Sequence, residues 1–284
     1  MVFGKNDILF LYLFCKNCTS FLYLLLKRYP MYSRKNILFI ILCGFFVTNA
    51  VTAEIIGSKI FSFESLLGIP PAQINLLGFK LDFNMSAGVL NWPVVFIISD
   101  IINEYFGVKG VKMISYITTL LIAYTFFVLY GASALPPAQF WIDLNKTDAE
   151  GLPLNINNAY SIILNSGMGI IIGSIIAFLV GQIADAYVFK KLRLITRNKH
   201  IWLRATGSTL FSQLLDSFIV IFIAFFLFGN WDLKQILAVG SVNYIYKFGV
   251  AILVTPLIYL LHFLIDSYLG KEKSEELIRE ATMN

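Results

Sequence analysis

Long apolar runs separated by short polar segments dominate the sequence from residue 37 onward. A helix needs about 20 mostly apolar residues to cross the hydrocarbon core of a bilayer. Because lipid offers no hydrogen bonds to the backbone, helices are the expected form of such runs. The pattern therefore predicts an all-α, polytopic membrane protein with six transmembrane helices at approximately 37–60, 86–106, 111–132, 162–186, 207–229 and 238–264.

Composition agrees with lipid as the main solvent. The chain has 284 residues, of which 58% are hydrophobic and 14% charged, whereas a soluble domain has roughly 25% charged residues. No segment is long enough for a separate soluble domain. We predict a six-helix domain over residues 36–268, an N-terminal extension over 1–35 that is cytoplasmic or interfacial, and a cytoplasmic C-terminal tail over 269–284.

Lys and Arg alternate between the connecting segments, and this alternation predicts the orientation. Cytoplasmic loops of membrane proteins are enriched in these residues. The pattern predicts that both termini lie in the cytoplasm, and it accounts for the net charge of +5 without a nucleic-acid partner. The inner residues are Lys27, Arg28, Arg34, Lys35, Lys109, Lys112, Lys190, Lys191, Arg193, Arg197, Lys199, Arg204, Lys271, Lys273 and Arg279, against Lys80, Lys146 and Lys234 outside.

The first 30 residues are open to three interpretations. The run "ILFLYLFCKNCTSFLYLLL" is long enough to span, but a Lys at its centre costs on the order of 3 kcal/mol on insertion. It is an extra helix, an interfacial segment, or an upstream start with the true first residue at Met31, and we favour the last two. With Cys15 and Cys18 as a lone C-x-x-C and two His in the chain, no metal site and no cofactor are predicted.

The outer connections contain local structure signals. The similar stretches "IPPAQI" (69–74) and "LPPAQF" (135–140) are each predicted to open a short helix, because Pro is common at the first helical position. The stretch "QINLLGFKLDF" alternates around a glycine and predicts a small hairpin.

Ionisable side chains inside spans are costly in lipid and usually face a cavity or a partner. In "SDIINEYFG", Asp100 and Glu104 lie one turn apart on one helix face. They are either a wall of a cavity or a solvated helix end paired with Lys109 or Lys112.

The fourth span carries Gln182 and Asp185 in "GQIADAY". Asp185 is close to the basic inner loop, so a salt bridge to Lys190 or Arg193 competes with a substrate role. In the first span, Glu54 falls away from the polar face and is expected at the outer interface.

The fifth span carries the most informative carboxylate. Asp216 in "RATGSTLFSQLLDSF" lies about nine residues into the span, roughly 14 Å deep and close to the middle of the bilayer. Gln213 lies beside it, and Lys247 of the sixth span is at a similar depth and could neutralise it. Asn49 adds an amide from the first span, and Arg204 is expected to anchor the fifth span at the inner interface.

Several spans thus each contribute a polar stripe, which predicts a cavity for a polar, hydrogen-bonding small molecule. Trp92 offers such a cavity a flat stacking surface, although ordinary packing also explains a tryptophan there. The chain has no G-x-x-x-x-G-K-[ST] phosphate loop, so it does not hydrolyse ATP by that means.

Five stretches resemble the queuosine precursor transporter family, a branch of the vitamin uptake transporters, in order and spacing over about residues 36–268. This resemblance implies six spans, a location in the cell (inner) membrane, and import of a 7-deazaguanine, such as 7-cyano-7-deazaguanine, for salvage into tRNA queuosine. The stretches are "NAVTAEIIGSK", "MSAGVLNWPVVFIISDIINEYFG", "AFLVGQIADAYVF", "WLRATGSTLFSQLLDSFIVIFIAF" and "YKFGVAILVTPLIYL".

The chemistry of such a ligand suggests roles for the candidate residues. A carboxylate accepts two neighbouring N–H donors well, so we expect Asp216 with Gln213 at the donor edge, assisted by Asn49 and Lys247. The remaining candidates are expected to join the site or gate its cytoplasmic mouth: Asp100, Glu104, Gln182 and Asp185.

Two alternatives to an independent transporter remain at this stage. The chain could be the substrate-capture subunit of an energy-coupled uptake system. It could also be an intramembrane enzyme with Asp100 and Asp216 as a catalytic pair, although no flanking motif supports this. The residues decide neither the coupling ion nor whether the chain forms a homo-oligomer.

Overall fold

The computed structural model describes residues 33–165, 168–196 and 201–283. Most of the predicted N-terminal extension, with Cys15 and Cys18, lies outside these residues. The chain divides into two compact units, residues 1–42 and residues 43–284. The described part of the first unit begins helix α1 (Arg34–Ile56), and every contact discussed below lies within the second unit.

Long apolar helices make up most of the described chain. Five helical stretches in it have the length and composition to cross a membrane, which confirms the predicted all-α, polytopic class. The count of six stays a prediction, because predicted spans two and three form one 42-residue element, α3. After α1, the helices longer than eight residues are α3 (Trp92–Ser133), α5 (Ile156–Leu164), α6 (Met168–Ile195), α7 (Ile201–Ile221), α8 (Leu233–Leu269) and α9 (Lys271–Met283).

Helix α3 breaks at Gly107, where the sequence predicted an inner connection. The residue has φ 71° and ψ −175°, a region of backbone conformation that is essentially restricted to glycine. A Cβ at this position would lie 2.9 Å from the carbonyl oxygen of Ala281. Glycine is therefore required twice, by the backbone conformation and by the close approach of α9.

Helix α9 packs against α3 and α6 instead of forming an extended tail. Leu277 is fully buried, and the Arg193 guanidinium donates to Thr282 Oγ1 at 3.5 Å. The predicted C-terminal tail is thus a docked helix, and its cytoplasmic location stays a prediction.

The segment between α1 and α3 folds as a small unit around Glu64, a residue that is 2% exposed. The Phe83 amide donates to its carboxylate at 2.7 Å and the Ser62 hydroxyl at 3.2 Å. These bonds, the Phe83 amide first, lower the pKa of Glu64 despite desolvation. The elements of this unit are β1 (Ile60–Ser62) paired with β4 (Asn84–Ser86), helix α2 (Phe63–Leu67), and β2 (Ile74–Leu76) paired with β3 (Phe79–Leu81).

The β2–β3 pair confirms the predicted hairpin. Its two turn residues, Leu77 and Gly78, have φ values of 52° and 93°. Positive φ at both positions is the requirement of a type I′ turn, which matches the twist of the strands.

The two Pro-Pro stretches have different structures. Helix α4 (Gln139–Leu144) follows the second one as predicted. The predicted helix at 69–74 is wrong: the chain there is irregular and enters β2. The reason is local, because the amides of Ala72 and Gln73 donate to the carboxylates of Glu64 and Asp82, at 3.4 and 2.8 Å.

Helix α7 lies between α6 and α8, and α3 packs across α6. One buried hydrophobic cluster joins these four helices through Ile97, Phe189, Ala205 and Ile258. The polar residues of α3, α6, α7 and α8 are therefore held close together by apolar packing.

Candidate functional site

A cavity lies between α3, α7 and α8, beside a single 3-10 turn (Ala87–Leu90). Its empty volume, including the open mouth, is about 410 Å³. Its lining is mostly apolar and aromatic with a few polar groups, which is the composition typical of ligand sites. Its aromatic and polar lining residues are Trp92, Phe96, Thr209, Gln213, Tyr246 and Lys247.

One lining residue, Lys247, forms an ion pair with Asp216 of the neighbouring helix. Lys247 of α8 donates to Asp216 Oδ2 of α7, as its similar depth in the sequence predicted. The side chains are 22% and 26% exposed. We call these two residues the cavity pair.

Gln213 lies one turn before Asp216 on the same helix and lines the cavity. It is 3% exposed, and its Nε2 has no hydrogen-bond partner within the described part of the chain. A buried donor without a partner costs roughly 1–3 kcal/mol, and this amide therefore has an unused N–H donor at the cavity.

Glu54 lies beside Asp216, although the sequence pattern sets it apart from the predicted site. Ser174 of α6 donates to Glu54 Oε1, and the Glu54 carboxylate interacts electrostatically with Asp216. The signal that could have found it was its position inside an apolar run, since carboxylates there seldom face lipid.

Asn49 is less engaged with the cavity than predicted. Its Nδ2 donates to the Phe45 carbonyl of its own helix at 2.9 Å, and the residue is not part of the cavity lining. The same part of α1 instead packs by ring contacts, with Phe46 against Phe178 and Phe178 against Trp92, at centroid distances of 6.1 and 5.6 Å.

Glu104 forms a buried ion-pair cluster with two arginines. Its carboxylate accepts from Arg193 and, at 2.6 Å, from Arg204 Nη2. The three side chains are 2% to 4% exposed, and both guanidinium groups lie over the Phe189 ring, at 5.3 and 5.7 Å from its centroid. We call Glu104, Arg193 and Arg204 the inner triad.

The inner triad rules out one of the two interpretations of Glu104. Glu104 is not a solvated helix end paired with Lys109 or Lys112, because two guanidinium groups neutralise it inside the protein. Arg193 and Arg204 are both directed into the protein toward Glu104, and the predicted anchoring of the fifth span at the inner interface by Arg204 stays a prediction.

Asp100 and Asp185 lie next to the inner triad without joining it. The Thr209 hydroxyl approaches Asp100 Oδ2 at 3.5 Å, and the Ser212 hydroxyl donates to Asp185 Oδ1 at 3.2 Å. The predicted salt bridge from Asp185 to Lys190 or Arg193 is not among the ion pairs of the described residues, because Arg193 is engaged by Glu104. We call Asp100 and Asp185 the aspartate pair.

Gln182 belongs to the same region, one turn before Asp185. Its Oε1 accepts from Ser99 at 2.7 Å, which joins α6 to α3 beside Asp100. Asp100 and Asp216 thus have different partners, so the close pairing that the intramembrane-enzyme hypothesis needs is not formed between them.

The sequence profile of a family described as "Putative vitamin uptake transporter" matches residues 86–261. The chain belongs to this family. The matched segment contains α3, α6, α7, the cavity lining, the inner triad and the aspartate pair, whereas Asn49 and Glu54 precede it.

Curated relatives of this transporter family member come from three bacteria. A Bacillus subtilis protein named "Probable queuosine precursor transporter" is 27% identical over 173 residues, or 61% of this chain and 69% of the relative. A Haemophilus influenzae protein with the same name is 26% identical over 64% of this chain and 70% of the relative. The "Queuosine precursor transporter" of Escherichia coli K12 is 26% identical over 61% and 70%. No solved structure matches the chain.

Proposed function

We propose that this chain imports a queuosine precursor, a 7-deazaguanine such as 7-cyano-7-deazaguanine, across the cell (inner) membrane for salvage into tRNA queuosine. The names of the three bacterial relatives support this substrate class. The observation that carries the proposal is the cavity pair, an ammonium and a carboxylate held side by side at an aromatic cavity.

The cavity pair matches one edge of a deazaguanine. That edge presents a carbonyl oxygen next to a ring N–H and an exocyclic amine. Lys247 would donate to the carbonyl oxygen, and Asp216 would accept from the two N–H groups, with charge-assisted hydrogen bonds on both sides. The partial exposure of both side chains lets a ligand take over part of their mutual contact.

The other lining residues supply what such a planar ligand still needs. Trp92 and Phe96 offer apolar rings to its flat face, and ring stacking of this kind is favourable beyond area burial. The spare Nε2 of Gln213 would donate to a ring nitrogen or to the nitrile of the ligand.

The remaining predicted residues are assigned roles below the cavity. Glu104 holds α3, α6 and α7 together through the inner triad. Asp100, Gln182 and Asp185 act at the side of the cavity that Thr209 lines, toward the predicted cytoplasmic end. Asn49 supports the packing of α1.

The test is rescue of a bacterial strain that cannot synthesise the precursor. The strain expresses this chain, receives 7-cyano-7-deazaguanine in the medium, and its tRNA is assayed for queuosine. Wild type should restore queuosine, and Asp216→Asn should not. Asp143→Asn is the matched control, because Asp143 has an exposed ion pair with Lys146 away from the cavity.

The same strain separates the proposal from its competitors. Absence of rescue by wild type, with the protein present in the membrane, would refute the proposed substrate. Normal rescue by Asp216→Asn would remove the cavity pair from the site. Rescue in a host without any energising module for vitamin uptake excludes a role as a mere capture subunit.

A further inference from the structure

The aspartate pair is buried without a cation of its own. Asp100 is 3% exposed and Asp185 1% exposed. Neither belongs to an ion pair within the described residues. Each also leaves one carboxylate oxygen without a hydrogen bond there, Oδ1 of Asp100 and Oδ2 of Asp185.

The surrounding charges do not neutralise the aspartate pair. Asp100 interacts electrostatically with Asp185, Glu104 and Arg204, so this region brings together three carboxylates and the two guanidinium groups of the inner triad. One negative charge is in excess in this buried region. An unpaired buried charge is strongly unfavourable, and two carboxylates that share a site do not both ionise readily.

Two other titratable groups near the inner triad, on α8, are engaged with Tyr105. On α8, His262 and Asp266 both bind the Tyr105 hydroxyl, at 2.9 and 2.8 Å. His262 interacts electrostatically with Glu104, Arg193, Arg204 and Asp266. Neither of these α8 groups supplies the positive charge that Asp100 and Asp185 lack.

Neutral groups that can accommodate a proton surround the pair. The hydroxyls of Ser208, Thr209 and Ser212 lie around Asp185, and a hydroxyl can either donate or accept. Gln182 is 1% exposed and leaves its Nε2 without a partner in the described structure. This unused donor is a second sign that the site is incomplete.

Thr209 links the aspartate pair to the cavity. Its hydroxyl lies 3.5 Å from Asp100 Oδ2, and the residue also lines the cavity. A change in the charge of the pair therefore changes the hydrogen bonding of a residue that a ligand in the cavity would touch.

We propose that Asp100 and Asp185 together form a proton-binding site that couples proton entry to movement of the ligand in the adjacent cavity. A proton bound by either carboxylate removes the excess charge, and its release restores the repulsion between them. The coupling part of this inference rests on the proposed transport of a 7-deazaguanine.

The experiment uses the purified full chain in proteoliposomes with radiolabelled 7-cyano-7-deazaguanine. Two quantities are measured: counterflow without any ion gradient, and accumulation driven by an inward proton gradient. Wild type should show both. Asp100→Asn and Asp185→Asn should lose accumulation above the outside concentration while losing much less of the counterflow, and Asp143→Asn should behave as wild type.

Several outcomes would overturn the proton site. One is a wild-type protein that shows counterflow but no accumulation when an inward proton gradient is applied. This outcome can be observed without any variant. Another is accumulation driven by a sodium gradient in its place. A third is accumulation that persists in both Asp→Asn variants.

Absence of counterflow in wild type would instead refute the proposed substrate, and a second measurement then tests the proton site alone. Infrared spectra of the purified chain are recorded from about pH 5 to about pH 9, the range in which buried carboxylic acids can remain protonated. The carbonyl band of a protonated carboxyl group should weaken in Asp100→Asn and Asp185→Asn and persist in Asp143→Asn. An unchanged band in both variants would show that the pair holds no proton.

Discussion

The cavity pair and the inner triad are built from the same chemistry and differ in burial. Lys247 and Asp216 are 22% and 26% exposed and line or adjoin a cavity. Glu104 and its two arginines are at most 4% exposed and are closed in by Phe189. A ligand in the cavity can therefore reach the cavity pair and replace part of its internal contact, whereas a ligand cannot reach the inner triad.

Burial also decides how much each cluster contributes to stability. Removing one member of a buried ion pair typically costs about 3–5 kcal/mol, because the partner is left charged and without water. A partly exposed pair contributes at most about 1 kcal/mol. Because the two ion pairs differ in burial, we predict a structural role for Glu104 and a binding role for Asp216.

The largest expected effect is that of Glu104→Gln. The free energy of unfolding should fall by about 3–5 kcal/mol, because Arg193 and Arg204 lose the charge that neutralises them. Thermal unfolding of the purified protein in detergent measures the change. Asp216→Asn is the matched control and should lower stability by at most about 1 kcal/mol; equal losses in both variants would show that burial does not distinguish the two clusters.

The next effect concerns the packing of α9, whose Thr282 accepts a hydrogen bond from Arg193 of the inner triad. Gly107→Ala should destabilise by about 1–3 kcal/mol, because alanine does not adopt this backbone conformation readily. Its Cβ would also press on the Ala281 carbonyl and displace the helix whose Thr282 contacts Arg193. Limited proteolysis should then remove α9 faster than in wild type.

Gly131→Ala is the matched control for this change. Gly131 lies in the same helix, α3, and a Cβ there would meet no atom within 4 Å. It should leave proteolysis of α9 unchanged. Equal protection of α9 in Gly107→Ala would show that the close approach at Gly107 does not hold this helix in place.

The contact inside the cavity pair was predictable from the sequence, and the contacts of the inner triad were not. The fixed rise of a helix gives depth, so Asp216 and Lys247 could be matched by counting residues from the ends of their spans. Arg193 and Arg204 are 89 and 100 residues from Glu104. Which of the nearby basic residues turns inward depends on helix rotation and packing, which counting does not provide.

The two Pro-Pro stretches show the same limit at short range. Local pattern was sufficient for α4. It failed at 69–74, because Glu64 and Asp82 bind the amides of Ala72 and Gln73. A contact from eight or nine residues away thus outweighed the helix signal of the prolines.

The third prediction sharpens the binding role of the cavity pair. Lys247→Met keeps the length of the side chain and removes its charge, so deazaguanine uptake should fall at least about tenfold, equivalent to 1.4 kcal/mol. The loss should appear as weaker binding in uptake measured against ligand concentration. Lys146→Met, in an exposed pair away from the cavity, should transport normally, and unchanged binding in Lys247→Met would place the ligand elsewhere.

The smallest expected effect concerns Glu64, a carboxylate that accepts hydrogen bonds from neutral backbone amides and a hydroxyl. Backbone and hydroxyl hydrogen bonds lower the pKa of Glu64 in the folded protein below its value in the unfolded chain. Its contribution to stability is therefore complete above the unfolded pKa and is lost as the pH falls through the folded pKa. Hydrogen exchange at the Phe83 amide should accelerate relative to neighbouring amides in that acidic window, and Glu64→Gln should abolish this pH dependence. If the Phe83 amide remains equally protected at acidic pH in wild type, the outer loop is held by its strands and not by this carboxylate.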